Sequence, residues 1–179
     1  MKLYALLVFN NFHQLEYSNY NLSEFFFIYR TKIKEGIESV AIELIKNHKP
    51  NNFYKINEKF QDVEMSIYLL SNDKIYIVLT DNEYPQRVVF TLLHSIKNAN
   101  VVQKDTLFES YQNPDKHDKI TQIKNELEET KIIMFDSIDK VMERGENLNE
   151  LLQRAENLSE TSFLFVDKTK DMNRCCVIL

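Results

Sequence analysis

The spacing of apolar and polar positions divides the chain into two unlike parts. Leu3 to Phe9 is an unbroken apolar run suited to a buried strand, and His13 to Tyr20 alternates less cleanly as its partner through Asn10 and Asn11. This predicts an opening hairpin. After the aromatic cluster Phe25 to Phe27, residues Ile33, Ile37, Val40, Ala41, Leu44 and Ile45 recur at three- and four-residue steps, the stripe of a helix that ends around Pro50. Val63 to Leu70 and Ile75 to Thr80 are rich in β-branched and aromatic residues and flank Ser71, Asn72 and Asp73, which predicts a second hairpin. From Pro85, residues Val88, Val89, Leu92, Leu93 and Ile96 form another helical face that stops near Asn98 to Asn100. The N-terminal part therefore reads as a mixed domain of strands and helices over residues 1–110.

The polar stretch SYQNPDKHD, with Pro114, reads as a linker over 111–118. Beyond it the pattern changes. From 119 to 174 there is no proline and only one glycine, Gly145, and charged residues interleave with apolar ones. Steps of three and four connect Ile120, Ile123, Leu127, Thr130, Met134, Ser137, Val141, Arg144, Leu148, Leu151, Ala155, Leu158, Ser162, Phe165, Thr169 and Met172. A helix of that length spans on the order of 80 Å, too long for a domain of this size to cover, so its natural partner is other helices. Arg144 places a permanent charge in mid-seam, which costs several kcal/mol in a dry interface unless acceptors such as glutamine carbonyls surround it. Two identical copies would oppose two arginines, so the pattern predicts a heteromeric bundle. Ile132, Ile133, Phe135, Ile138, Leu152, Phe163, Leu164 and Val166 lie off the seam, and the unassembled chain is expected to cover them by folding back on its own N-terminal domain.

Composition narrows the function classes. Two glycines, Gly36 and Gly145, exclude glycine-rich phosphate cradles and dinucleotide turns. A net charge of −5 gives no field for attracting nucleic acid. The four histidines lie more than twenty positions apart, without zinc spacing, so no metal site is expected. Asp81, Glu83 and His94 are the imaginable catalytic set, yet Asp81 and Glu83 sit at a strand-to-helix joint where turn and capping roles are commoner, and no enzyme is expected. No run approaches a membrane span, and MKLYALLVF is too short for a secretory core.

The chain ends in Cys176-Val177-Ile178-Leu179, a C-a-a-X pattern that makes Cys176 the expected prenylation site, geranylgeranyl favoured over farnesyl by the terminal leucine. Cys175 is the candidate for a second lipid, palmitoyl or prenyl, because a single chain anchors only marginally. The adjacent charges sum to too little for an electrostatic second anchor.

Residues 127–165, LEETKIIMFDSIDKVMERGENLNELLQRAENLSETSFLF, resemble the R-SNARE motif of synaptobrevin-like proteins, with Arg144 at the central ionic layer. The start MKLYALLVF, the segment DNEYPQRVVFTLL (81–93) and YQNP (111–114) look like a longin domain, and with the ending CCVIL the whole resembles the Ykt-type prenylated longin R-SNAREs. The resemblance implies an α+β fold: a profilin-like longin domain, with a five-stranded, mostly antiparallel sheet between helices, followed by a long C-terminal SNARE helix. It implies Qa, Qb and Qc helices as bundle partners, a closed state in which the SNARE segment and lipid pack on the longin domain, and attachment through lipids to the cytoplasmic face of endomembranes (Golgi, ER-Golgi, endosomal or vacuolar) in exchange with cytosol. Gly36 stands where the family's first longin helix tends to carry an aromatic that helps hold the closed state, and Leu179 replaces a residue that more often directs farnesylation. The competing expectation is a prenylated coiled-coil adaptor or tether that does not itself drive fusion.

Overall fold

The computed structural model describes residues 1–50, 52–60, 63–117, 132–136, 138 and 141. Leu3–Phe9 (β1) is buried along its whole length and pairs antiparallel with Leu15–Tyr20 (β2). β2 starts two residues later than the alternation suggests because Asn10 organises the turn. Its Oδ1 accepts from the backbone N–H of Phe12 at 2.9 Å and of Gln14 at 3.0 Å, and His13 takes a left-handed φ of 60°. A single 3-10 turn, Phe27–Tyr29, leads into α1, Arg30–Asn47. Phe53–Phe60 (β3), Val63–Ser71 (β4) and Ile75–Asp81 (β5) follow as an antiparallel meander. Gln86–Lys97 (α2), with Pro85 at its N-cap, and Val101–Ser110 (α3) complete the N-terminal part.

The strands are ordered β2-β1-β5-β4-β3-β6, where β6 is Ile132–Phe135. Helix α1 covers one face, its Val40, Ala41, Leu44 and Ile45 meeting Leu7, Phe9, Ile56, Ile67 and Ile77. The other face carries α2 and α3, with Val88, Val89, Leu92, Leu93 and Ile96 on Leu6, Val8, Tyr68, Tyr76 and Val78. A central strand covered on both faces must be apolar at every position, and β1 is. Its register shifts between Leu3 and Ala5, which turns Tyr4 and Ala5 together toward the α1 layer while Leu3 and Leu6 face α2.

Three elements depart from the sequence expectation. The sheet has six strands rather than five. α3 follows α2 after a short break, because Asn100, read above as a stop, is the N-cap of the next helix: its side chain accepts from Gln103 N–H at 2.9 Å and Gln103 returns the bond to Asn100 N–H. The segment expected as a linker begins inside the domain. Tyr111 and Pro114 are buried, Tyr84 Oη donates to the Tyr111 carbonyl at 2.6 Å, Gln112 Nε2 donates to the Leu3 carbonyl at 3.0 Å, and His117 stacks on Tyr111 with ring centroids 3.8 Å apart. A buried aromatic with its carbonyl satisfied is core, whatever the polarity of its neighbours.

Candidate functional site at the edge of the sheet

The long helix expected over 119–174 meets the domain at β3. Strand β3 has β4 on one side only, and an open row of backbone donors and acceptors on the other invites pairing. That row is filled by β6, parallel to β3, with Phe53 opposite Ile132, Tyr54 opposite Ile133, Lys55 opposite Met134 and Ile56 opposite Phe135. Residues 132–135 are therefore strand here, not helix. The run Ile-Ile-Met-Phe suits either state, and the unpaired edge decides between them.

The side chains sort by face. Ile133 and Phe135 pack into the α1-side core, and Phe135 stacks on Tyr54 at 6.0 Å with an interplanar angle of 14°. Ile132 packs on the α2 side. Tyr54 is itself fixed by its hydroxyl, which accepts from Lys49 N–H at 2.8 Å. Beyond β6, Ile138 is fully buried and Val141 nearly so, both in the α1-side core, and Val141 N–H donates to the Ile138 carbonyl at 2.9 Å. Glu58 of β3 holds that turn by accepting from Ile138 N–H at 2.7 Å. Gly36 of α1 is buried, so the helix lacks a side chain where the resemblance expects an aromatic.

Two seam positions fall among the described residues. Met134 is 61% exposed while its off-seam neighbours Ile133 and Phe135 are packed away, and Val141 is buried. Of the off-seam residues, Ile138 is buried and Ile132, Ile133 and Phe135 are partly buried against the N-terminal domain, while Leu152, Phe163, Leu164 and Val166 lie outside the described residues. Ile120, Ile123, Leu127, Thr130, Ser137, Arg144, Leu148, Leu151, Ala155, Leu158, Ser162, Phe165, Thr169, Met172, Cys175 and Cys176 lie outside the described residues. Sequence reasoning missed Glu58 and the whole of β3. A polar strand with apolar residues on both faces gives no period-2 signal, although Phe53, Tyr54 and Ile56 within six residues of Pro50 were a clue.

The imagined catalytic set does not converge on a site. Asp81 ends β5, ion-pairs with the Met1 ammonium at 3.0 Å, and its carbonyl accepts from Tyr84 N–H in the turn to α2. Glu83 and His94 are exposed, His94 well along α2. Among the described residues no group of three or more His, Cys, Asp or Glu could hold a metal, and no helix is long and apolar enough to cross a membrane.

Residues 132–135 thus complete the sheet of a three-layer domain. Residues 22–114 match the family of Regulated-SNARE-like (longin) domains, and residues 119–178 match synaptobrevin. The chain is 30% identical over 180 residues to the synaptobrevin homolog ykt6 of Schizosaccharomyces pombe, with 88% of each chain covered. It is 28% identical over 179 residues to that of Yarrowia lipolytica, covering 89% of this chain and 88% of the other. To the Saccharomyces cerevisiae YKT6 it is 31% identical over 133 residues, covering 63% and 66%. The chain belongs to the Ykt6-type longin R-SNAREs, proteins of vesicle fusion rather than enzymes.

Proposed function

We propose that residues 119–174 supply one helix to a parallel bundle with Qa, Qb and Qc helices, and that the longin domain withholds part of that helix until partners arrive. The two states compete for one segment. Residues 132–135 cannot be a β3-paired strand and a bundle helix at once, so each state excludes the other. The observation that carries this reading is the sorting at β6, where off-seam Ile133 and Phe135 are packed and seam Met134 faces solvent.

Opening uncovers Ile132, Ile133, Phe135, Ile138 and Val141, each worth about 1.5–3 kcal/mol at most when fully buried. Assembly offsets this by burying the seam from Ile120 toward Met172, with Arg144 at the middle layer requiring partner acceptors. In this reading Cys176 carries the prenyl group and Cys175 a second lipid, and tethering the far end of the helix to one bilayer converts zippering into a pull between membranes on the cytoplasmic face of endomembranes. The adaptor alternative is disfavoured by the synaptobrevin match over 119–178.

The test is amide exchange of 132–141 in the full chain before and after Q-type helices are added. Protection in the free chain should be lost or replaced by helix-type protection, with a large cooperative gain in helical circular dichroism. Unchanged exchange and no helix gain would remove the proposal. Membrane attachment is read separately, from the mass of the C-terminal peptide in native cells and from Cys176→Ser, which should leave membranes yet still bind partners.

A further inference from the structure

Between β2 and α1 the chain shows three consecutive large apolar residues to solvent, Phe26, Phe27 and Ile28, at 44%, 68% and 58% exposure. They do not sit on a slack loop. Phe25 N–H donates to the Leu22 carbonyl at 3.1 Å, Tyr29 N–H to the Phe26 carbonyl at 3.0 Å, and Arg30 ties the base through Nε to the Phe25 carbonyl and Nη2 to the Ser23 carbonyl, both at 3.0 Å. Phe25 anchors the turn from beneath, its ring 6.0 Å from Tyr4, while Phe26 and Phe27 lie 5.2 Å apart on the outside. A turn with its backbone satisfied and its apolar side chains held outward is costly in water.

The adjoining helix adds a second anomaly. α1 begins Arg30-Thr31-Lys32-Ile33-Lys34, with no acidic residue in its first turn. Cations at the positive end of a helix are unfavourable, and acids are the usual occupants. Glu24, on the other side of the turn, is already paired with Lys2, and Glu38, 3.9 Å from Lys34, lies a turn further along. Arg30 already donates to two carbonyls, and Lys34 lies over the Tyr20 ring as well as near Glu38. Lys32 and the exposed Arg30 are therefore the charges beside the rings, and a second copy of the chain would bring them together.

We propose that this turn is a membrane-contact element: Phe26, Phe27 and Ile28 enter the interface of an anionic bilayer while Lys32 and the exposed Arg30 meet its headgroups. Aromatic rings at the interface beside basic side chains are the two terms that drive peripheral binding. Because the net charge of the chain is −5, the attraction is local and orients the domain. The contact is independent of lipid attached at Cys175 or Cys176.

The test uses the full chain without lipid. It contains no tryptophan, so Phe27→Trp installs a unique fluorophore at the tip and Phe12→Trp a control at the other end of β2, in the β1–β2 turn. With phosphatidylcholine vesicles containing phosphatidylserine, the indole in the Phe27→Trp chain should shift to the blue, less so at high salt, and the control should not. Phe27→Ser with Ile28→Ser should reduce vesicle co-sedimentation by about tenfold or more. Three results would overturn the proposal: no response to anionic vesicles, emission already blue in the free chain because the chain's own residues 142–179 cover the turn, or a vesicle-free shift that grows with protein concentration.

Discussion

The carboxylate of Glu58 accepts a hydrogen bond from the backbone N–H of Ile138 at 2.7 Å, joining the middle of the domain to a turn of the SNARE segment 80 residues later. This bond sits just beyond the β3–β6 ladder, where the strand has ended and the apolar anchor Ile138 begins. A bond to a charged acceptor contributes about 1.5–3 kcal/mol. Glu58→Ala should therefore speed amide exchange at 132–141 by roughly tenfold or more, with little change at the β1 and β5 amides of the core. Equal exchange in the two proteins would mean that the ladder alone sets the closure.

Two sets of residues should separate the two states. Phe135 is packed against Tyr54 in the structure and lies off the expected heptad seam, whereas Leu148 is expected on the seam. Phe135→Ala removes the stacking of this half-buried ring on Tyr54 and weakens the β6 docking, so it should accelerate association with Q-type helices. The melting temperature of the finished complex should stay nearly unchanged. Leu148→Ala should do the reverse, weakening the complex. Association kinetics and melting of both variants, measured side by side, would expose any overlap, and a Phe135→Ala complex as weak as the Leu148→Ala one would show that the sorting by face is not functional.

Most of the domain was legible because its periodic elements are also its buried ones. The five residues expected on the face of α2 are those at its interface with the sheet, and the stripe of α1 and the β4–β5 hairpin came out in place. What was not legible depended on partners distant in sequence. β3 carries Lys55, Asn57 and Glu58 among Phe53, Tyr54 and Ile56, so neither face is purely apolar, and only its position between β4 and β6 makes it a strand. β6 could not be foreseen, since residues 132–135 fit a heptad well and become strand only where the β3 edge is open. The surplus of apolar residues off the seam pointed to a cover for them, and among the described residues Ile132, Ile133, Phe135 and Ile138 pack on the domain in a geometry the periodicity did not indicate. At α3 the signal was local, since Asn100 and Gln103 stand at the spacing of a capping box, but Asn100 was read as the end of α2 and the helix it starts was missed.

That box can be tested alone. The Asn100 side chain and Gln103 satisfy two of the free N–H groups at the start of α3, and the helix has little else locally in its favour, with Val101 and Val102 exposed at its first positions. Asn100→Ala should destabilise the domain by about 1 kcal/mol, read as a lower denaturation midpoint at constant slope. Asn100→Asp, which keeps the acceptor and adds a favourable charge at the helix start, should restore it. A domain indifferent to both changes would show that Phe108 and Asp105 alone hold α3 against the sheet.

Tyr17 links α3 to β2 and should give the domain an alkaline limit. Its ring is buried, which pushes its ionisation from the usual 10 up to about 12. Asn19 opposes the shift by donating to the hydroxyl, and Asp105, which accepts the phenol proton at 2.7 Å, adds to it. Lys104 approaches the same ring, 5.7 Å from its centroid. Burial likewise raises Tyr76 to about 12, with Asp73 and Glu16 contributing. In the unfolded chain both phenols ionise near about 10, so above that pH the unfolded state releases protons that the folded state keeps. The contribution is whole below about pH 10 and falls away as pH rises through the folded values near 12. Melting temperature should therefore drop between about pH 10 and pH 12, with part of the phenolate absorbance appearing only as the fold is lost. Asp105→Asn removes the acceptor charge and should let Tyr17 ionise at lower pH, so its phenolate absorbance should rise earlier than in the parent chain. If all nine tyrosines titrated together near pH 10 in the intact protein, the buried phenols would be reaching water and the packing of β2 against α3 would be looser than its hydrogen bonds require.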